Sequence, residues 1–94
     1  MTTPDEDAVR RRKISFRAWH RGTREMDLIM GRFADAELPR LDGAGLDSFE
    51  TLMEQPDPDL YKWVSGEAPV PPDVDAAFLG RIREFHSAKG ALRG

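Results

Sequence analysis

The chain has 94 residues, no Cys and a formal net charge of −3. That length holds one small domain, spanning 1–94, which buries about 60–65% of the surface its unfolded chain exposes. Disulfides, thiol chemistry and Cys-based zinc sites are excluded, and no apolar run reaches membrane-spanning length. The acidic start, Met1 to Asp7, lacks the apolar core of a secretory signal, so a cytoplasmic location is expected. The charge is unevenly spread. Val9 to Arg24 carries seven basic residues (Arg10, Arg11, Arg12, Lys13, Arg17, Arg21 and Arg24) and no acid, whereas Glu25 to Asp75 carries thirteen acids and three basic residues. Two readings follow: a basic helix that steers docking to an acidic or phosphate-bearing partner, or ends that neutralise the middle within the fold.

Taken in chain order, Pro4 with Asp5, Glu6 and Asp7 suits a first helical turn, with fraying expected over 1–7. A first helix is expected from about Asp5 to Trp19, with Val9, Phe16 and Trp19 on its apolar face and Ile14 and Ala18 beside them. Arg21-Gly22 interrupts the pattern, and Gly lets the backbone turn without a Cβ penalty. Thr23 is a candidate N-cap, followed by Glu25 and Asp27 at the positive end of the next helix dipole. Met26, Ile29, Met30 and Phe33 fall at i, i+3, i+4 and i+7, the signature of an amphipathic helix. Gly31 lies inside that stripe, which suggests close approach by another backbone. Pro39 predicts an end near Glu37.

Leu41 to Gly45 reads as a loop, and Leu46 to Glu54 as a third helix with Leu46, Phe49, Leu52 and Met53 inward. Asp57-Pro58-Asp59 is a start signal, with Asp57 as N-cap, for a fourth helix that buries Leu60, Trp63 and Val64 and closes at Ser65-Gly66. Ala68 to Pro72 is an extended connector. A fifth helix opens at Pro72 or Asp73 with Val74, Phe78, Ile82 and Phe85 on one face, and 89–94 should fray. The expected fold is an all-α bundle of about five helices, without internal repeats.

Little in the chain points to catalysis. His20 and His86 lie far apart and lack the spacing of a helical metal pair; there is no Gly-rich phosphate loop and no serine elbow. His20 near a helix end suits a surface or capping role. Abundant carboxylates on amphipathic helices suit a solvated face. The basic run with Phe16 and Trp19 raises nucleic-acid binding, against which stand the acidic body and the absence of a recognised motif. The corner from His20 to Asp27 is the better candidate for contact with another protein. Gly22 permits close approach, Arg21 can fork onto carboxylate or carbonyl groups, and Glu25 can accept a hydrogen bond. From spacing alone, a helix–helix turn stiffened by a local Arg–Glu pair is the better account of the same residues.

Arg21-Gly22-Thr23-Arg24-Glu25, preceded by Trp19-His20 and followed by Met26-Asp27-Leu28, resembles the RGxxE signature of the SdhE family of succinate dehydrogenase assembly factors. Leu52-Met53-Glu54 and Asp57-Pro58-Asp59-Leu60-Tyr61-Lys62-Trp63 are similar to that family's second conserved block, and the resemblance spans about Arg11 to Phe85. It implies a five-helix assembly factor, not an enzyme. Such a factor binds the flavoprotein subunit of succinate dehydrogenase, and in bacteria that of fumarate reductase, and promotes covalent attachment of FAD. The FAD would sit on the partner, with none held stably by this chain. Arg21, Gly22 and Glu25, with His20, Arg24 and Asp27 around them, would form the partner-binding surface. A regulatory protein such as an antitoxin, or a basic-helix nucleic-acid binder, is the competing class.

Overall fold

Local signals and long-range packing divide the work of building this domain. The structure, a computed structural model, describes residues 4–89. Five α-helices occur in it: α1 (Pro4–Trp19), α2 (Arg24–Glu37), α3 (Gly43–Leu52), α4 (Asp57–Ser65) and α5 (Ala76–Lys89); a short 3-10 turn, Leu38–Arg40, follows α2. No strand occurs among the described residues, which is the all-α fold the periodicity predicts. The helical first turn expected at Pro4–Asp7 is present; of the fraying expected over 1–7 and 89–94, residues 4–7 and Lys89 are helical and the rest lies outside the described residues. Among the described residues no helix is long and apolar enough to cross a membrane.

The helix ends show their causes. Thr23 Oγ1 accepts from the Met26 N–H and opens α2, and Pro39 sends the chain into the 3-10 turn. The third helix starts a turn earlier than its apolar stripe, at Gly43, because Asp42 Oδ1 accepts from the Gly45 N–H at 2.8 Å. Pro56, not Asp57, is the N-cap of α4; Asp57 is the first helical residue and its carboxylate is engaged elsewhere. Gly66, at φ 83°, ends α4 in the left-handed conformation. The fifth helix begins at Ala76, later than Pro72 or Asp73, because Asp75 accepts from the Phe78 N–H at 2.9 Å. That hydrogen bond also holds the Asp75 carboxyl below its usual range. Val74 therefore sits in the preceding turn, half-buried against the core, instead of on the helical face.

The core is continuous. Phe33 of α2 is fully buried and meets Phe49, Phe78 and Phe85 edge-on at ring separations of 5.5, 5.7 and 5.7 Å. Leu60, Trp63 and Val64 close it from α4, as their spacing predicts. The first helix uses a different face from the expected one. Ile14 and Ala18 are buried, whereas Phe16 is 64% and Val9 40% exposed. Arg11 lies on that same buried side and donates to the Leu38 and Leu41 carbonyls at 3.0 and 2.7 Å.

Gly31 explains the close packing of α1 on α2. The neighbour is the indole of Trp19, not a backbone; its ring carbons occupy the space a Cβ would need, and its Nε1 donates to Asp35. Gly31→Ala is therefore expected to destabilise, by about 1–3 kcal/mol from overpacking, although Ala is the better helix former by about 1 kcal/mol. A chemical-denaturation series checks the sign.

Among the described residues, His86 is the polar one buried in the core, 1% exposed. Its Nε2 donates to the Ile29 carbonyl at 2.6 Å, and its Nδ1 is buried without a partner. A second proton would have to go on Nδ1, where nothing accepts it. Burial, with Arg32 nearby, accordingly holds the imidazole below its ordinary value of 6.5, the Ile29 hydrogen bond opposing. The unfolded chain then takes up a proton first as pH falls. The stability contributed by neutral His86 is intact above about pH 6.5 and declines as pH drops below it toward the folded-state value. Melting curves between pH 7.5 and 5 should show this decline, and His86→Phe should flatten it.

The corner between the first two helices and its surroundings

The charge asymmetry is largely spent inside the fold. Arg10 pairs with Asp47 and Glu50 of α3, Arg17 with Glu54, and Arg21 with Asp57, while Arg11 is taken by backbone carbonyls. The neutralising reading thus accounts for Arg10, Arg17 and Arg21, whereas Arg11 meets neutral carbonyls. Arg12, Lys13 and Arg24 remain exposed on the surface. The basic run does not form a free electrostatic face of the kind nucleic-acid binding requires.

Between α1 and α2 the chain turns through His20, Arg21, Gly22 and Thr23. Gly22 has φ 116°, a conformation L side chains rarely adopt, and open space where a Cβ would project. Asp27 ties the turn from within: its Oδ1 accepts from the Arg21 and Gly22 N–H groups at 2.5 and 3.2 Å. His20 is exposed, stacks on Phe16 at 4.0 Å between ring centroids, and donates from Nδ1 to the Phe16 carbonyl at 2.6 Å. Gly22, Thr23, Arg24 and Glu25 are exposed as well.

Arg21 departs from the expectation of an exposed corner. Its side chain is only 11% exposed and crosses to the turn between α3 and α4. There Nε donates to Asp57 Oδ1 at 2.8 Å, Nη1 to the Met53 carbonyl at 2.7 Å and Nη2 to the Gln55 carbonyl at 2.9 Å. Asp57, and not Glu25, orients it. The expected local Arg–Glu pair is replaced by a longer-range one because the planar fork matches a carboxylate and two carbonyls already facing it. Sequence reasoning missed Asp57 in this role; having placed it at a helix cap, it paired Arg21 with the nearby Glu25 instead.

Two open hollows flank the corner. One, of about 410 Å³, is lined by Thr23, Glu25, Met26, Asp57, Pro58 and Tyr61. The other, of about 530 Å³, is lined by Trp19, His20, Gly22, Thr23, Arg24, Asp27 and Leu28. Of the six residues singled out in the sequence, His20, Gly22, Arg24 and Glu25 form the outer face, and Arg21 and Asp27 hold that face from inside. The two histidines are not brought together: His20 is on this surface and His86 is in the core. Among the described residues no group of three or more His, Asp or Glu could hold a metal ion.

The geometry defines a small all-helical domain with a preformed, internally anchored corner. A family model described as "Flavinator of succinate dehydrogenase" matches residues 12–86, and the chain belongs to that family. It is 39% identical over 80 residues to the FAD assembly factor SdhE of Acetobacter pasteurianus, covering 85% of this chain and 73% of the relative. It is 33% identical over 73 residues to the mitochondrial succinate dehydrogenase assembly factor 2 of Dictyostelium discoideum, covering 78% of this chain and 52% of the relative. The counterpart from Mycosarcoma maydis is 35% identical over 75 residues, 76% of this chain and 32% of the relative. The chain thus spans about half or less of these two mitochondrial relatives. No solved structure matches it significantly.

Proposed function

We propose that this chain binds the flavoprotein subunit of succinate dehydrogenase and promotes covalent attachment of FAD to it. The family match across residues 12–86 carries this reading, and the SdhE relative supports it. The fumarate reductase flavoprotein is a second partner in the same reading, and the bacterial relative supports a cytoplasmic location. The docking surface is the corner. His20, Gly22, Arg24 and Glu25 face the partner, and Arg21 and Asp27 keep them in place.

The role is orientation. A helper that holds the flavoprotein with its target residue aligned to the flavin replaces a search with a fixed geometry, an effect worth several kcal/mol of barrier. The flavin, bound on the partner, supplies the reactive ring system. The reading gives this chain no turnover of its own. It also assigns it no stably held FAD, since the flavin is bound on the partner.

Glu25→Ala tests the surface. Glu25 is exposed, so its loss opens no cavity, while an acceptor desolvated at a docked contact is worth about 1–3 kcal/mol. Cells lacking their own factor, supplied with the variant, should show strongly reduced in-gel flavin fluorescence of the denatured flavoprotein. Undiminished fluorescence would remove Glu25 from the working surface.

A further inference from the structure

Arg21 joins two corners that lie far apart in the chain. It leaves the α1–α2 corner and ends among the Met53 carbonyl, the Gln55 carbonyl and the Asp57 carboxylate on the α3–α4 turn. The side chains of Arg21 and Asp57 are 11% and 18% exposed, which leaves little of either for a partner to touch. A buried pair of this kind adds little net stability over an apolar pair of the same shape; its fork adds a defined geometry. The hollow beside it has two walls, Thr23, Glu25 and Met26 from the start of α2, and Asp57, Pro58 and Tyr61 from α4. Those two helices make little direct contact. Beyond the shared core, the guanidinium ties the α1–α2 corner to the start of α4 by hydrogen bonds.

We propose that Asp57 is a positioning residue for the docking corner: through Arg21 it sets the α2 wall, with Glu25, against the α4 wall, with Tyr61, so that the flavoprotein meets both as one surface. This rests on the reading that the corner docks the flavoprotein. Arg21 acts from beneath that surface, and the Asp57 charge is not itself read by the partner. A lysine at 21 would keep the charge but cannot satisfy three acceptors at once in this plane.

The full chain is titrated against the succinate dehydrogenase flavoprotein subunit with FAD, and covalent flavin is read by in-gel fluorescence. The readout is the factor concentration that gives half-maximal attachment, with circular dichroism melts run beside it. Asp57→Ala and Arg21→Lys should each raise that concentration about ten-fold, and the double variant should also stand at about ten-fold, not about a hundred-fold, because residues acting through one another are not additive. Asp57→Asn keeps an oxygen acceptor for Arg21 Nε and should stay within about three-fold of wild type. Additive losses would overturn the proposal, since each residue would then touch the partner independently. So would Asp57→Asn as defective as Asp57→Ala, since the charge itself would be read. If Asp57→Ala unfolds, Asp57→Asn and Arg21→Lys carry the test, and an unchanged half-maximal concentration for Arg21→Lys overturns the proposal. Wild-type behaviour of Asp57→Ala beside a defective Glu25→Ala would end the latch and leave the corner standing. Wild-type behaviour of Glu25→Ala would instead count against the corner.

Discussion

Gly22→Arg is expected to leave a folded helical domain that no longer supports flavin attachment. Gly22 sits at φ 116° on the exposed face of the corner, with nothing within 4 Å of a Cβ. An L residue there is strained by about 1–3 kcal/mol whatever the space around it, a loss that a domain stable by about 5–15 kcal/mol survives. The long side chain then projects where a partner's backbone would approach. Gly22→Ala separates the two effects, since it carries the strain without the bulk. In cells lacking their own factor, Gly22→Arg should reduce covalent flavin on the flavoprotein to background, and Gly22→Ala should retain a substantial part of it. Wild-type flavin with Gly22→Arg would take the corner off the working surface. Loss of flavin together with loss of helical circular dichroism would mean that Gly22 merely builds the turn.

Phe33→Ala should have the largest effect on stability. The ring is fully buried and touches Phe49 of α3 and both Phe78 and Phe85 of α5. Truncating a buried Phe costs about 3–5 kcal/mol, from lost transfer energy and the cavity left behind. In a domain of this size each kcal/mol lowers the melting temperature by about 4–8 °C, so the variant should melt tens of degrees below wild type. Tyr61→Ala is the internal comparison: at 38% exposure that ring contributes far less to the core. A Phe33→Ala melt within a few degrees of wild type would show that the neighbouring rings collapse into the space.

Much of this could be read along the chain. Met26, Ile29, Met30 and Phe33 declare the buried face of α2, and Thr23, Pro39 and Gly66 mark helix ends by chemistry that acts within a few residues. The early start of α3 is equally local, set by the Asp42 cap within a stretch whose two glycines read as a loop. The six corner residues were legible too, and four of them lie on the outer face.

What the chain alone left open concerns partners separated by long stretches of sequence. Spacing alone puts Phe16 on the face of α1 and Ala18 beside it until α2 is in place. Then the Trp19 ring over Gly31 and the Arg11 contacts beneath settle which side turns inward. His86 looks like any helical histidine until the Ile29 carbonyl meets it in the core. Asp57 reads as a cap until Arg21 claims it from the far corner. Periodicity, caps and turn residues act through neighbours a turn or so apart, so sequence order reveals them. The choice among several competent partners for a charged fork or a flat ring depends on which groups packing brings within 3 Å, and spacing along the chain carries no record of that distance.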